Sequence, residues 1–221
     1  MSAALRVNRV HHPVTALGYG VRLGVWLQGC PLACAGCASQ DTWDPGGGGE
    51  VPVAELAEVW RAAVRAGADG LTVTGGEPLA QPAGLAAFLR RVRAIGADCG
   101  RETDVIVYSG YELDELDETQ LGALEHADVA ITGRYEIAQP TELIWRGSAN
   151  QRMILRTPLA RRRYERYVDH RPERSPMQVA ADGDAVWLIG VPRTGDLARL
   201  ERRLRDQGLH LQDVSWRRQK P

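Results

Sequence analysis

The sequence predicts an α/β protein with a largely parallel sheet. Short apolar runs alternate with stretches of helical periodicity, and the βα unit recurs several times along the chain. At 221 residues, 44% hydrophobic and 25% charged, the chain can bury a substantial core, with room for one larger domain and a small appendage. Repeated βα units imply right-handed crossovers, with ligands at the C-terminal ends of the strands.

Taken in order, Gly20–Gln28 (GVRLGVWLQ) reads as a strand feeding a cysteine-rich loop. After the glycine run 46–49, Val53–Ala66 has helical spacing, and Leu71–Thr74 (LTVT) is a short apolar strand. Pro82 stands where a helix N-terminus tolerates proline, and Leu85, Phe88, Leu89 and Val92 mark one face of a helix over 83–95. Strand 104–108 (DVIVY) leads to an acidic helix over 112–125, and 128–132 (DVAIT) is the next strand. Residues 133–151 are irregular, and MILR at 153–156 suggests another strand. Arg161–Pro176 is arginine-rich and proline-punctuated and reads as a solvated connection. Beyond it, 177–181, an Asp182-Gly183 turn and 186–189 signal a hairpin, followed by an amphipathic helix over 196–207 and a last strand over 209–216. The expected organisation is a core at 1–160, a basic linker at 161–176 and a ββαβ extension at 177–221 packed on the core.

A net charge of −1 gives no overall pull toward nucleic acid or an anionic membrane, so neither is expected as a partner. No apolar run approaches a membrane span, and the first residues lack the layout of a secretory signal, which points to the cytoplasm. Nearly all the basic residues are arginine, a compositional bias from which no function follows.

Three of the four cysteines, Cys30, Cys34 and Cys37, fall within eight residues as C-x3-C-x2-C at the exit of a predicted strand. In a reducing compartment three crowded thiols do not form a disulfide framework, whereas soft thiolates suit iron–sulfur clusters and zinc. Cys99 lies past two predicted elements and reads as a spare thiol, so a four-iron cluster on this loop would keep one iron open to an outside ligand. Structural zinc completed by His11 or His12 is the other reading of the loop.

Gly75-Gly76-Glu77-Pro78 directly follows the LTVT strand. Successive glycines allow close backbone approach to a ligand, and a neighbouring carboxylate can accept a bond from a ligand ammonium group. Together, the cysteine motif and GGEP resemble the radical S-adenosylmethionine superfamily. The finer pattern resembles its glycyl-radical activating branch, in particular the activating enzymes of anaerobic ribonucleoside-triphosphate reductase. It comprises Gly29-Cys30-Pro31, Ala35-Gly36-Cys37, Thr42-Trp43, Tyr108-Ser109-Gly110-Tyr111, the segment 132–135 and WRGSANQR at 145–152.

The resemblance implies an incomplete (β/α) barrel of radical S-adenosylmethionine type. Cys30, Cys34 and Cys37 would hold a [4Fe–4S] cluster, with S-adenosylmethionine on the fourth iron. Gly75, Gly76 and Glu77 would contact the methionine amino group, and the backbone at Gly36 and Ala38 would line the cofactor. One electron, from a flavodoxin or ferredoxin-type donor, would cleave the sulfonium bond to give a 5′-deoxyadenosyl radical. That radical would take hydrogen from a glycine of a glycyl-radical enzyme partner. The extra tail leaves a small-molecule or peptide substrate as an alternative, and a zinc-stabilised, non-catalytic module is the alternative from another class. Weaker candidates are Trp43 as a shield for the cluster loop and Ser109 and Tyr111 as cofactor contacts. WRGSANQR reads as either a partner surface or a hydrogen-bonded support for the sheet.

Overall fold

The computed structural model describes residues 3–182 and 185–217. Its centre is a seven-stranded sheet made of β1 (Ala4–Val14), β2 (Arg22–Leu27), β3 (Gly49–Pro52), β4 (Gly70–Gly75), β5 (Asp104–Tyr108), β6 (Val129–Thr132) and β7 (Arg152–Leu155). The order across the sheet is β3-β1-β2-β4-β5-β6-β7. The inner four strands, β2, β4, β5 and β6, run parallel, as expected. The flanks β3, β1 and β7 are antiparallel to their neighbours. β1 and β3 were not expected from the sequence, and they extend the sheet beyond its parallel centre.

The parallel strands read as continuous apolar runs because both of their faces are buried. On one face, Leu23, Val25, Leu27, Leu71, Val73, Val105 and Val107 pack against α1 (Val53–Arg65), α2 (Pro82–Asp98) and α3 (Glu118–Ala123). Trp60 of α1 is fully buried there and donates its indole N–H to the Val92 carbonyl of α2 at 3.1 Å. The acidic helix expected over 112–125 is two pieces instead. A capping box between Glu112 and Glu115 closes one 3-10 turn, and a second between Asp117 and Gln120 starts α3.

The opposite face of the sheet is closed at its lower end by a polar knot. The buried Arg22 guanidinium donates to Asp104 Oδ1 (2.7 Å), Thr72 Oγ1 (2.7 Å), the Tyr164 hydroxyl (2.9 Å) and the carbonyls of Leu71 (2.6 Å) and Tyr19 (2.9 Å). Arg163 completes it with 2.6 Å to Asp104 Oδ2. Arg163 and Tyr164 therefore correct the expected solvated connection, whereas Arg161 and Arg162 are exposed as expected. Helix α4 (Pro158–Tyr164) crosses the 160/161 boundary and buries Tyr164 completely.

The tail forms a hairpin of β8 (Met177–Asp182) and β9 (Ala185–Gly190), then α5 (Asp196–Asp206). The expected Asp182-Gly183 turn falls at the edge of the described residues, with Gly183 outside them. The strand expected over 209–216 is absent: this segment is irregular, and its backbone bonds to the cysteine loop rather than to a sheet edge. The extension is thus ββα followed by a strap. The hairpin is fixed to the sheet by Ile189 packing with Val14 and Leu17, and by Gln178, which donates to the Pro13 carbonyl at 2.7 Å and accepts from the Thr15 N–H at 2.9 Å. No helix among the described residues is long and apolar enough to cross a membrane.

Candidate functional site

β2 ends at Leu27, and the cysteine loop begins two residues later, at the C-terminal end of the parallel sheet. The loop is held to the chain that follows it by backbone bonds from Gly29 N–H to the Thr42 carbonyl (2.8 Å) and from Cys30 N–H to the Trp43 carbonyl (3.1 Å). Gln28 reinforces this return by donating to the carbonyls of Asp41 (3.1 Å) and Asp44 (2.7 Å). Between these anchors the chain makes a tight loop in which Ala33 adopts φ 44° and Cys37 N–H bonds the Cys34 carbonyl at 3.1 Å.

All three thiols are half-buried. Burial pushes the Cys30 thiol up, opposed by the N–H groups of Leu32 and Ala33, and pushes Cys37 up against the Ser39 N–H and the Trp43 indole. The Ser39 N–H lies 3.4 Å from the Cys37 sulfur. Trp43 Nε1 is buried without a hydrogen-bond partner of ordinary geometry, beside the sulfur whose thiolate it favours. Amide and indole donors directed at cysteine sulfur, one of them unsatisfied, fit a thiolate-held iron–sulfur cluster, whose potential is set by such bonds.

Among the described residues, no three His, Cys, Asp or Glu side chains converge on a point that could hold a single metal ion. His11 instead packs edge-on against Trp187, with ring centroids 5.7 Å apart. His12 Nε2 is buried without a partner, and burial lowers the pKa of that ring, with His11 adding to the effect. Cys99 follows α2 and packs against the helical core, at the end of the sheet away from the loop.

Beside Cys37 lies a cavity of about 460 Å³. Its floor is the upper end of the open sheet face, at Trp26, Thr74, Gly75 and Tyr108; Gly36, Cys37 and Ala38 border it from the cysteine loop. That volume suits one ligand of cofactor size. Of the residues predicted from sequence, the cavity gathers Gly36, Cys37, Ala38 and Gly75. Cys30, Cys34, Gly76 and Glu77 lie outside its lining.

The glycines of GGEP have a backbone reason to be there. Gly75 has φ 102°, and a Cβ on it would stand 2.5 Å from Leu27 N; one on Gly76 would stand 2.3 Å from the Gly29 carbonyl oxygen. The two residues thus let the end of β4 close against the start of the cysteine loop, sealed by Glu77 N–H to the Gly29 carbonyl at 2.9 Å.

The Glu77 carboxylate, at 1% exposure, does not face open space. It accepts from the Leu79 N–H (2.8 Å), the Ser109 hydroxyl (3.0 Å) and the Gly110 N–H (2.7 Å). Burial pushes its pKa up, and those three bonds oppose the shift. Its carboxylate therefore braces the end of β4 against the end of β5. Ser109 is part of that brace, while Tyr111 stacks under Arg134 at 5.6 Å.

WRGSANQR acts as a support. Gln151 Nε2 donates to the Gly133 carbonyl at 2.8 Å, and Asn150 Nδ2 to that of Arg134 at 2.9 Å, pinning the segment after β6. Sequence reasoning missed the Arg9–Asp41 ion pair at the cavity wall, because nothing local links residues 32 apart. It also missed the Tyr108 hydroxyl, buried without a partner on a residue that lines the cavity.

A model of the 4Fe-4S single cluster domain matches residues 16–154, so the fold and site define an iron–sulfur protein of that class. An anaerobic ribonucleoside-triphosphate reductase-activating protein from Haemophilus influenzae is 37% identical over 139 residues, covering 61% of this chain and 87% of that protein. The Escherichia coli K12 protein of the same name is 32% identical over 146 residues, covering 64% and 93%. The chain belongs to the family of anaerobic ribonucleoside-triphosphate reductase-activating proteins. Among solved structures, QueE from Escherichia coli aligns with a TM-score of 0.41 at 17% identity, over 57% of this chain and 69% of that one.

Proposed function

We propose that this chain is a radical S-adenosylmethionine enzyme that activates an anaerobic ribonucleoside-triphosphate reductase by removing hydrogen from a glycine of that partner. One observation carries the reading: a loop of three half-buried cysteines leaves the C-terminal end of a parallel sheet and, through Cys37, borders a cavity of one-ligand size. Cys30, Cys34 and Cys37 hold the [4Fe–4S] cluster, and family membership supports S-adenosylmethionine as its cosubstrate. When bound, these groups supply one electron and a 5′-deoxyadenosyl radical.

The chain supplies position and exclusion of water. The backbone of Gly36 and Ala38 lines the cofactor beside the cluster. The backbone of Gly75, the part of GGEP that borders the cavity, receives the methionine amino group; Gly76 and Glu77 hold it from behind, through the bonds to Leu27 and Gly29 and through the Glu77 carboxylate on Ser109 and Gly110. Amide groups at Leu32, Ala33 and Ser39, with the Trp43 indole, stabilise charge on sulfur. In this reading the open sheet is a partial (β/α) barrel, the hairpin and strap are an extension laid over its mouth, the setting is cytoplasmic and the electron donor is of flavodoxin or ferredoxin type.

The test is an anaerobic mixture of the reduced, cluster-loaded protein, S-adenosylmethionine and anaerobic ribonucleoside-triphosphate reductase, followed by electron paramagnetic resonance. A glycyl doublet is expected. Formation of 5′-deoxyadenosine without the doublet would transfer the assignment to a small-molecule or peptide substrate, a reading favoured by the tail residues that line the cavity.

A further inference from the structure

The tail is what separates this chain from the relatives it matches. The matched domain ends at residue 154, and alignments of 139 and 146 residues already cover 87% and 93% of two relatives. Yet the tail supplies much of the cavity wall, including Leu188, Val191, Pro192, Arg193 and Trp216. In this chain the cavity is walled in part by residues beyond the matched domain.

The two parts of the tail are held very differently. The hairpin is anchored by buried Ile189 and by the Gln178 bonds to residues 13 and 15, and Arg9 lies over the Trp187 ring at 5.2 Å. Helix α5 has no fully buried residue; its Leu197, Leu200 and Leu204 are half-buried. The strap that follows α5 is fastened to the cysteine loop by three polar bonds. Gln40 N–H donates to the Ser215 carbonyl (2.8 Å), the Ser215 hydroxyl donates to the Ala38 carbonyl (2.8 Å), and Gln40 Nε2 donates to the Trp216 carbonyl (3.2 Å). At its other side, Trp216 Nε1 donates to Glu201 Oε1 of α5 at 2.5 Å, so helix and strap are linked to each other. Elements whose apolar side chains are only half-buried and that are held by a few polar ties open at lower free-energy cost than a fully buried core.

With a ligand of S-adenosylmethionine's size in about 460 Å³, little space remains for a second reactant. A glycine of a folded partner has to enter as a narrow segment, and Ser215 and Trp216 line the side next to the cysteine loop, bonded to Ala38 and Gln40. We propose that the hairpin is a fixed wall, and that α5 with residues 209–217 is a clasp that must leave Ala38–Gln40 to admit the partner's glycine-bearing segment. This rests on the activating function proposed above.

Hydrogen exchange read by mass spectrometry on the cluster-loaded protein with S-adenosylmethionine, alone and with anaerobic ribonucleoside-triphosphate reductase, tests it. Adding the partner should speed exchange in 38–41 and 209–217 while leaving the hairpin amides of 177–181 and 186–190 unchanged. Without partner, Ser215→Ala should raise exchange at Gln40 by about threefold to tenfold, the worth of one hydrogen bond, with iron content unchanged. A glycyl radical formed while 209–217 stays protected would overturn the clasp. If no glycyl radical forms, the activating function fails, and the Ser215→Ala comparison alone decides the clasp: unchanged exchange at Gln40 refutes it.

Discussion

Replacing Glu77 by glutamine separates two roles for its carboxylate, brace and ligand contact. Glutamine keeps one acceptor oxygen, enough for the Leu79 N–H and the Ser109 hydroxyl that both bond Oε1. Its amide group would then face the Gly110 N–H, which now donates to Oε2 at 2.7 Å. An unpaired buried donor costs about 1–3 kcal/mol. The two surviving bonds lose their charge assistance, roughly half their strength, while the variant no longer desolvates a carboxylate. The net expectation is a loss of about 2 kcal/mol, or a Tm lower by about 4–8 °C for a chain of this length. The assay is urea unfolding of the cluster-free protein, where no ammonium group is present to bind. Ser109→Ala, which leaves two donors on the carboxylate, should cost less than Glu77→Gln. Equal or greater stability of Glu77→Gln without cofactor would show that the carboxylate is held ready for a ligand at a cost to the fold, and the brace would be wrong.

Alanine at Cys30, Cys34 or Cys37 should each abolish iron retention after anaerobic reconstitution, read by iron content and visible absorption, while Cys99→Ala keeps a full cluster; cluster loss in Cys99→Ala would place a fourth thiolate in the site. Asp104→Ala strands the buried Arg22 guanidinium and should cost about 3–5 kcal/mol in urea unfolding; a cost under about 1 kcal/mol would mean water or another acceptor satisfies Arg22. Trp43→Phe removes the N–H beside Cys37 and should lower the cluster's reduction potential in a spectroelectrochemical titration, since a donor to sulfur stabilises the reduced, more negative cluster; an unchanged potential would remove Trp43 from the cluster's surroundings. Burial lowers the His12 pKa below its ordinary 6.5, so its neutral form favours folding and that contribution is lost as pH falls from 6.5 through the lower folded value. Wild type should therefore lose stability relative to His12→Gln between pH 7.5 and 5.5, and parallel pH profiles would contradict this.

The parallel centre was legible because β2, β4, β5 and β6 are apolar on both faces, and α1 and α2 carry a clear helical stripe. β1 was not, since its two histidines, Arg6, Arg9 and Pro13 interrupt any alternation and its pairing depends on β2 and on the short β3 that follows the glycine run. The acidic stretch after β5 carries helical composition throughout, yet its two capping boxes each restart the chain. In the site, the cysteine loop was readable because three cysteines sit in one short segment. The duty of Glu77 was not, because its partners Ser109 and Gly110 arrive from the next βα unit, 32 and 33 residues away. Arg163 and Tyr164 looked like surface for a similar reason: their partner Asp104 lies about 60 residues back.

The most direct test of the account is electron paramagnetic resonance of the anaerobically reconstituted, reduced protein with and without S-adenosylmethionine, with 5′-deoxyadenosine assayed in the same samples. The account predicts a [4Fe–4S]⁺ signal that changes on adding S-adenosylmethionine, with 5′-deoxyadenosine formed. A cluster whose signal ignores S-adenosylmethionine, or stoichiometric zinc in its place, would contradict it and leave Cys30, Cys34 and Cys37 with a structural role.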